Sequence, residues 1–263
     1  MEKNFNKAYL IGDLHGNFKP VRSFFERCQP KEDDLLICLG DFSANFFFDY
    51  RDDNFKKKLG KYKVIYFVIR GNHEQRPSLL YKAAPAAWHI ENFLGGNVIV
   101  ENEYPYIKYA ADTPFIYKLW NKNILTLPGA YSVDKYYRLQ NGWSWFEQEQ
   151  MTEDEMFMGR MIVKAEENWD LVLSHTCPVC YEPTDLFISS IDQSLVDKTM
   201  ERYLGEIERS ISYGLWCWGH YHNTRVYPQF DESNRVMLFN DKVLKLNTYF
   251  DTHNPYDALI DIS

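Results

Sequence analysis

Five short polar clusters carry most of the chemistry in this sequence: Asp13-Leu14-His15, Asp41, Asn72-His73, His175 and His220-Tyr221-His222. Each follows an apolar or β-rich run that ends in glycine or serine, so each sits where a strand gives way to a loop. Five of the seven histidines fall in these clusters, leaving His89 and His253 outside. A single such histidine or aspartate is ordinarily a turn, cap or core residue. Recurrence after five successive strands is a pattern that packing alone does not require. Imidazole mixed with carboxylate, and no thiolate needed, suits divalent metals of intermediate softness such as Mn, Fe, Zn or Co. Two aspartates against two divalent ions leave a local charge of about plus two, which suits a phosphate. A lone carboxylate such as Asp41 is placed to bridge two ions, the arrangement that activates water and clamps phosphoryl oxygens.

The elements needed to bring these clusters together are legible in outline. Lys7 to Gly12, Asp34 to Leu39 and Lys63 to Ile69 are apolar runs halted by polar residues, and Val21 to Cys28 repeats apolar residues at helical spacing. Strands alternating with helices predict a βαβ sheet, whose loops at the carboxyl ends of the strands converge on one crevice. Between Asn97 and Ala130 the pattern is all strand (98–100, 106–109, 115–120 and 124–127), which predicts a second sheet. Thr152 and Glu155 form a capping box ahead of a helix whose face carries Met158, Met161, Ile162, Ala165 and Trp169. Strands are expected at Leu171 to Ser174 and Leu215 to Trp218, with a helix over Ile191 to Ile211 between them. Arg235 to Leu246 reads as a hairpin turning at Asn240-Asp241.

The chain has 263 residues, 45% of them hydrophobic, enough for one large core and with no composition shift to mark a second domain. With 29 basic and 37 acidic side chains, its net charge of −8 repels a phosphate backbone, so nucleic acid is not the expected partner. A phosphate ligand must then be drawn by a local positive site. No apolar run approaches the roughly 20 residues that span a bilayer, and Met1 to Lys7 lacks a signal-peptide segment, so no membrane partner and a cytoplasmic location are expected. Five cysteines, an odd number, fit reduced thiols.

Gly12-Asp13-Leu14-His15-Gly16, Gly40-Asp41, Gly71-Asn72-His73-Glu74, Ser174-His175 and Gly219-His220-Tyr221-His222 resemble the five ordered motifs of the calcineurin-like metallophosphoesterases, across residues 12 to 222. The resemblance implies an α/β fold, a four-layer αββα sandwich of two mixed sheets, with a dinuclear centre between the sheets. Carried over motif by motif, Asp13, His15, Asp41 and His222 would hold one divalent ion, and Asp41, Asn72, His175 and His220 the other (Mn, Fe, Zn, Co or Mg). His73 would be the histidine outside the ligand set that protonates the leaving group or positions the phosphate. The implied activity is hydrolysis of a phosphomonoester, phosphodiester or nucleotide pyrophosphate by metal-bound hydroxide. The implied substrate is a phosphorylated small molecule, a nucleotide or a phosphoprotein. Two motifs also resemble the serine/threonine protein phosphatase branch, but Phe42-Ser43 follows Asp41 and Thr176-Cys177-Pro178 follows His175, which departs from that branch. Ala130 to Lys135, followed by Arg138, resembles a segment of bacterial and phage members. The alternative from another class is a metal-bearing interaction scaffold on the same fold; His73 beside Asn72 favours the enzyme.

Other residues admit two readings. Arg70 either holds two phosphate oxygens in a bidentate pair or forms an ion pair with Glu74 or another acid at the site edge. Lys135 and Arg138, which follow a strand and a glycine turn, read mainly as an exposed, solvated pair, with reach to the substrate as the alternative, and Lys56 to Lys58 as a solvated helix face. Cys177 and Cys180 read as packing residues. Phe46 to Phe48, Trp143, Trp145 and Phe146 read mainly as core, with the cleft rim as the alternative.

Overall fold

The computed structural model describes residues 5–166, 168–229 and 231–263. The chain opens with three strand–helix units: β1 (Lys7–Ile11) and α1 (Phe18–Cys28), β2 (Asp34–Cys38) and α2 (Tyr50–Leu59), β3 (Ile65–Val68) and α3 (Pro77–Ala83). Five further strands follow: β4 (Trp88–Phe93), β5 (Gly96–Glu101), β6 (Ile107–Tyr109), β7 (Phe115–Leu119) and β8 (Lys122–Leu127). Next come α4 (Lys135–Gln140), α5 (Glu153–Ala165), β9 (Asn168–Ser174), α6 (Thr199–Glu208) and β10 (Ser212–Trp218). The chain closes with β11 (Arg225–Val226), β12 (Asn234–Met237), β13 (Lys242–Lys245), α7 (Leu246–Thr252), α8 (Pro255–Ala258) and β14 (Leu259–Asp261).

Two mixed sheets result, ordered β14-β13-β1-β2-β3-β6-β5-β4 and β11-β12-β10-β9-β8-β7. Strands β1, β2, β3 and β6 run parallel to one another, as do β8, β9, β10 and β12. Side-chain alternation explains the layering. On β2, Leu35 and Ile37 point into a core shared with Leu171 of β9 and Leu215 and Cys217 of β10, between the sheets. Leu36 and Cys38 point the other way, against Val21 and Phe24 of α1 and Phe55 and Leu59 of α2. On the outer face of the second sheet, Val172 and Trp216 pack on Met156 and Val163 of α5 and on Met200, Leu204 and Ile207 of α6. The order helices, sheet, sheet, helices is the αββα sandwich. Each large apolar side chain fully removed from water contributes about 1.5–3 kcal/mol. Burial on both faces thus anchors the strand ends firmly enough to carry strained loops.

Several details depart from the sequence reading. Strands β5 and β6 join the first sheet rather than the second, next to β4, a strand the sequence pattern did not reveal. The β4–β5 turn is Leu94-Gly95, both with positive φ (53° and 74°), a two-residue turn that suits strand twist. Trp169 belongs to β9, not to the face of α5, which ends at Ala165. The helix expected over Ile191 to Ile211 is limited to Thr199–Glu208, because Asp192 and Asp197 accept backbone N–H groups from Ser194 and Thr199 and so cap shorter pieces. The expected hairpin over Arg235 to Leu246 does not form: β12 pairs with β10 in one sheet and β13 with β1 in the other, and the chain crosses between sheets through Leu238-Phe239. On α2, Lys57 and Lys58 are exposed, whereas Lys56 is buried against Glu101 at 2.6 Å.

Candidate metal centre

The loops after β1, β2 and β3 meet those after β9 and β10 at one edge of the sandwich, because neighbouring parallel strands end on the same side. All seven expected ligand residues and His73 come together there. Asp41 Oδ1 lies 3.3 Å from His175 Nε2, and Asp13 Oδ1 lies 3.6 Å from His175 Nδ1. Asp13 Oδ2 lies 3.8 Å from His222 Nε2, and Asp41 Oδ2 lies 3.9 Å from His15 Nε2. Asn72 Oδ1 is 3.0 Å from His175 Nε2. His220 stands beside His175, with ring centroids 5.0 Å apart, and its backbone N–H donates to Asp13 Oδ1 at 3.0 Å.

The arrangement fits a metal on its own terms. Ligand-type atoms of Asp13, His15 and His222, and likewise of Asp13, Asp41 and His175, lie within 4.8 Å of one another. Asp13 Oδ2 is buried without a hydrogen-bond partner. His15 and His222 direct Nε2 at Nε2, 2.8 Å apart, a meeting of two nitrogens that a shared cation would satisfy.

Backbone geometry is strained at the same place. Among the described residues, His15, Asp41, Ser43, His220 and His222 all have φ between 47° and 73°, the left-handed region that costs an ordinary residue about 1–3 kcal/mol. Two glycines make room for the ligands. A Cβ on Gly40, whose φ is 91°, would fall 2.1 Å from His175 Nδ1, and one on Gly71 would fall 2.2 Å from Asp41 Oδ1.

Burial sets the electrostatics. It pushes Asp13 up to about 7. Burial also acts to raise Asp41, but His175, His73 and His15 outweigh it and hold that carboxylate well below its usual range. Burial acts against protonated His175, yet Asp41 and Asp13 outweigh it and bring its pKa to about 9. A positive charge is thus favoured between these two buried carboxylates. His15, His73 and His220 are depressed, chiefly by burial, His73 to about 4 with Arg138 adding to the shift.

Partners behind the cluster fix its orientation. His175 Nδ1 sits 2.7 Å from the Leu39 carbonyl, which turns Nε2 toward Asp41 and Asn72. The Asn72 amide donates through Nδ2 to Ser132 Oγ at 2.9 Å, and Ser132 donates its backbone N–H and its hydroxyl to the two carboxylate oxygens of Glu149. That relay points Asn72 Oδ1 into the cluster. Sequence reasoning missed Ser132 and Glu149 as supports; the resemblance over Ala130 to Lys135 was the available signal.

Arg70 pairs with an acid other than Glu74. Its guanidinium is buried inside the fold, ion-paired with Asp112 at 3.1 Å and donating to the Glu149 carbonyl at 2.6 Å, which is the second of the two readings open to it. Arg138 is a correction. It is not a solvated surface residue but is buried, bound to Asp134 at 2.7 Å and donating through Nη2 to His73 Nε2. Its Nη1 has no partner. Phe46 stacks on the other side of His73, with centroids 5.3 Å apart, and Phe146 backs Phe46. Phe48 and Trp143 are exposed, while Lys135 lies over the Trp145 ring at 4.0 Å. Both Cys177 and Cys180 are free thiols; Cys177 is buried, in keeping with packing, whereas Cys180 is exposed.

A cavity of about 670 Å³ lies away from this chemistry, beside the opposite ends of β9 and β10 at Asn168–Asp170 and Ser212–Gly214. A smaller one, about 300 Å³, opens directly beside His220 and His222.

Fold, site and order of motifs agree with one assignment: the chain belongs to the calcineurin-like phosphoesterase family, which it matches over residues 7–224. It is a metal-dependent phosphoesterase, a hydrolase acting on phosphate esters. Solved structures share the fold at low identity. TT1561 of Thermus thermophilus is 11% identical, covering 99% of this chain and 100% of that one with a TM-score of 0.55. A dimetal phosphatase from Danio rerio is 12% identical, covering 93% and 96% respectively with a TM-score of 0.51. No curated protein matches significantly in sequence. Among the described residues, no helix is long and apolar enough to cross a membrane.

Proposed function

We propose that this chain hydrolyses a phosphorylated small molecule at a centre of two divalent ions. Asp13, His15, Asp41 and His222 hold one ion, and Asp41, Asn72, His175 and His220 hold the other. The observation that carries the reading is the convergence of Asp13, Asp41 and His175, all buried, with ligand atoms within 4.8 Å of one another. Ions bound there supply Lewis acidity and an activated water. The chain's own residues do the rest. Asp41 offers one oxygen toward His175 and the other toward His15, the posture of a bridge. Asn72 brings a neutral carbonyl oxygen, which keeps the ligand set from neutralising the ions and preserves attraction for phosphate.

His73 and Arg138 form the part of the site outside the ligand set. Arg138, which contacts His73 and whose Nη1 has no hydrogen-bond partner, is the cation we assign to the phosphate oxygens, while Arg70 stays in its ion pair with Asp112. For His73, proton donation to the leaving group and positioning of the phosphate remain distinct mechanisms. The N–H of Arg138 on Nε2 favours positioning, since that nitrogen already accepts a hydrogen bond. The test is a panel assay with manganese, comparing a nitrophenyl monoester, a bis-ester, a phosphopeptide and a dinucleoside polyphosphate. Turnover of the monoester, abolished by a chelator, is expected. A flat panel with metal bound would instead indicate a metal-bearing scaffold.

A further inference from the structure

Beside the candidate metal centre lies the cavity of about 300 Å³, at the lower end of the size range of small-molecule sites. His220 and His222 form one wall, so whatever occupies it is joined to anything held at the centre. Its other walls are largely apolar. Phe187 and Tyr221 present near-parallel rings, 23° apart in plane, with centroids separated by 6.5 Å, at the far end of direct ring contact. Leu186 and Ile188 border the same space and expose 37% and 57% of their surface, apolar area that no other part of the described chain covers.

Away from the two histidines, the charged groups lining the cavity are the carboxylates Glu182, Asp197 and Glu201, with the neutral Gln193 beside them. Among the described residues no lysine or arginine lines it, and the ammonium of Lys198 stands 4.9 Å from the centre of the Phe187 ring. Glu182 is neutralised by Lys198 at 2.9 Å, and Asp197 accepts from Thr199 and Gln150. Glu201 differs: Oε1 accepts from the Thr176 hydroxyl at 2.7 Å, while Oε2 is buried with no partner. A second phosphate or a carboxylate would enter this space facing three carboxylates, with Lys198 already committed to Glu182. A hydroxyl, able to donate or to accept, would pair with Glu201 Oε2.

We propose that this cavity receives the organic part of the substrate, and that the substrate is a phosphate ester of an uncharged, ring-bearing group, rather than a pyrophosphate-linked or otherwise multiply anionic compound. The ring lies along Phe187 and Tyr221, its outer edge meets Leu186 and Ile188, and a donor on it reaches Glu201. This rests on the reading above for the position of the phosphate, and deepens it by naming the substrate class.

The two are separable by experiment. 2-Naphthol, the organic part alone, is titrated calorimetrically into the metal-free full chain and into Ile188→Asp, with 2-naphthol-6-sulfonate as the anionic comparison. In parallel, hydrolysis of 2-naphthyl phosphate and acetyl phosphate is measured on the manganese-loaded proteins. Naphthol is expected to bind the wild type, with the sulfonate and the Ile188→Asp variant each at least about tenfold weaker, the scale of one lost apolar contact. The ratio of kcat/KM for naphthyl phosphate over acetyl phosphate should fall by a similar factor in the variant. Absence of naphthol binding, equal binding of the sulfonate, or equal binding by the variant overturns the cavity assignment, even if esters are hydrolysed. Naphthol binding as expected without hydrolysis of the naphthyl ester or of acetyl phosphate leaves the cavity assignment standing and overturns the proposed function.

Discussion

Arg138 donates through Nη2 to Nε2 of His73, a residue 65 positions earlier in the chain, and does so from a buried position braced by Asp134. A cation whose Nη1, with two N–H groups, is unpaired at the edge of a cluster of histidines and carboxylates is costly to bury unless an anion arrives to use it. Arg138→Ala is therefore expected to lower kcat/KM for a phosphate monoester by about 10²–10³-fold, the range for loss of one preorganised donor. Metal content should be unchanged. Arg138→Lys should recover little, because an ammonium cannot span two phosphate oxygens. Steady-state kinetics with elemental analysis of the same preparations checks both points.

His73 gives a sharper contrast between mechanisms. If it positions the phosphate, His73→Ala should slow an alkyl phosphate and a nitrophenyl phosphate by similar factors. If it is the general acid, the alkyl ester should suffer by about 10²–10⁴-fold more, since its leaving oxygen is strongly basic and a nitrophenolate is not. The contact from Arg138 favours the first outcome. Paired kinetics on the two esters decides it.

The relay from Asn72 through Ser132 to Glu149 makes a prediction about metal affinity rather than chemistry. Ser132→Ala leaves the Asn72 amide without its partner, free to rotate its nitrogen toward the cluster. Metal binding should weaken by about 10–100-fold, the usual scale for loss of a group that orients a ligand. Calorimetric titration with manganese measures it, and unaltered affinity would show that Asn72 needs no such support.

Much of this site could be read from sequence because its residues are local. Asp13 and His15, Asn72 and His73, and His220 and His222 each sit in one short loop after a strand, so strand pattern and residue type together expose them. The supports were not visible for a physical reason. Arg138 reaches His73, Glu149 reaches Ser132 and Arg70 turns inward to Asp112, contacts across 65, 17 and 42 residues that depend on how loops fold back over the sheet edge. Burial of a charged side chain leaves no mark on local pattern, so Arg138 and Lys56 both looked like surface residues. The same limit affected β12 and β13: their spacing fits a hairpin, and only the pairing of each strand with a distant partner shows that they separate into different sheets.

Glu201 predicts a pH dependence of stability. Burial pushes its pKa up to about 7, against an ordinary value of 4.5. The folded state thus holds the proton more tightly than the unfolded state does. The contribution is fully present below pH 4.5 and is lost progressively as pH rises through about 7. The shift corresponds to roughly 3 kcal/mol, as an order of magnitude. Asp13 and Glu74 are raised in the same direction, so the comparison must be with a variant. Glu201→Gln should flatten this part of the profile and make the metal-free chain more stable than wild type at pH 8. Urea unfolding between pH 4.5 and 8 checks the sign.

The central claim is that Asp41 joins two metal positions. Equilibrium dialysis of the metal-free chain against manganese, followed by elemental analysis, tests it most directly. A ratio near two ions per chain is expected for the wild type, because seven ligands with one shared are too many for a single four-coordinate site. In Asp41→Asn both positions should weaken together, since the bridging charge is what holds two cations side by side. A wild-type ratio near one, or an Asp41→Asn protein that retains both ions, would contradict the account.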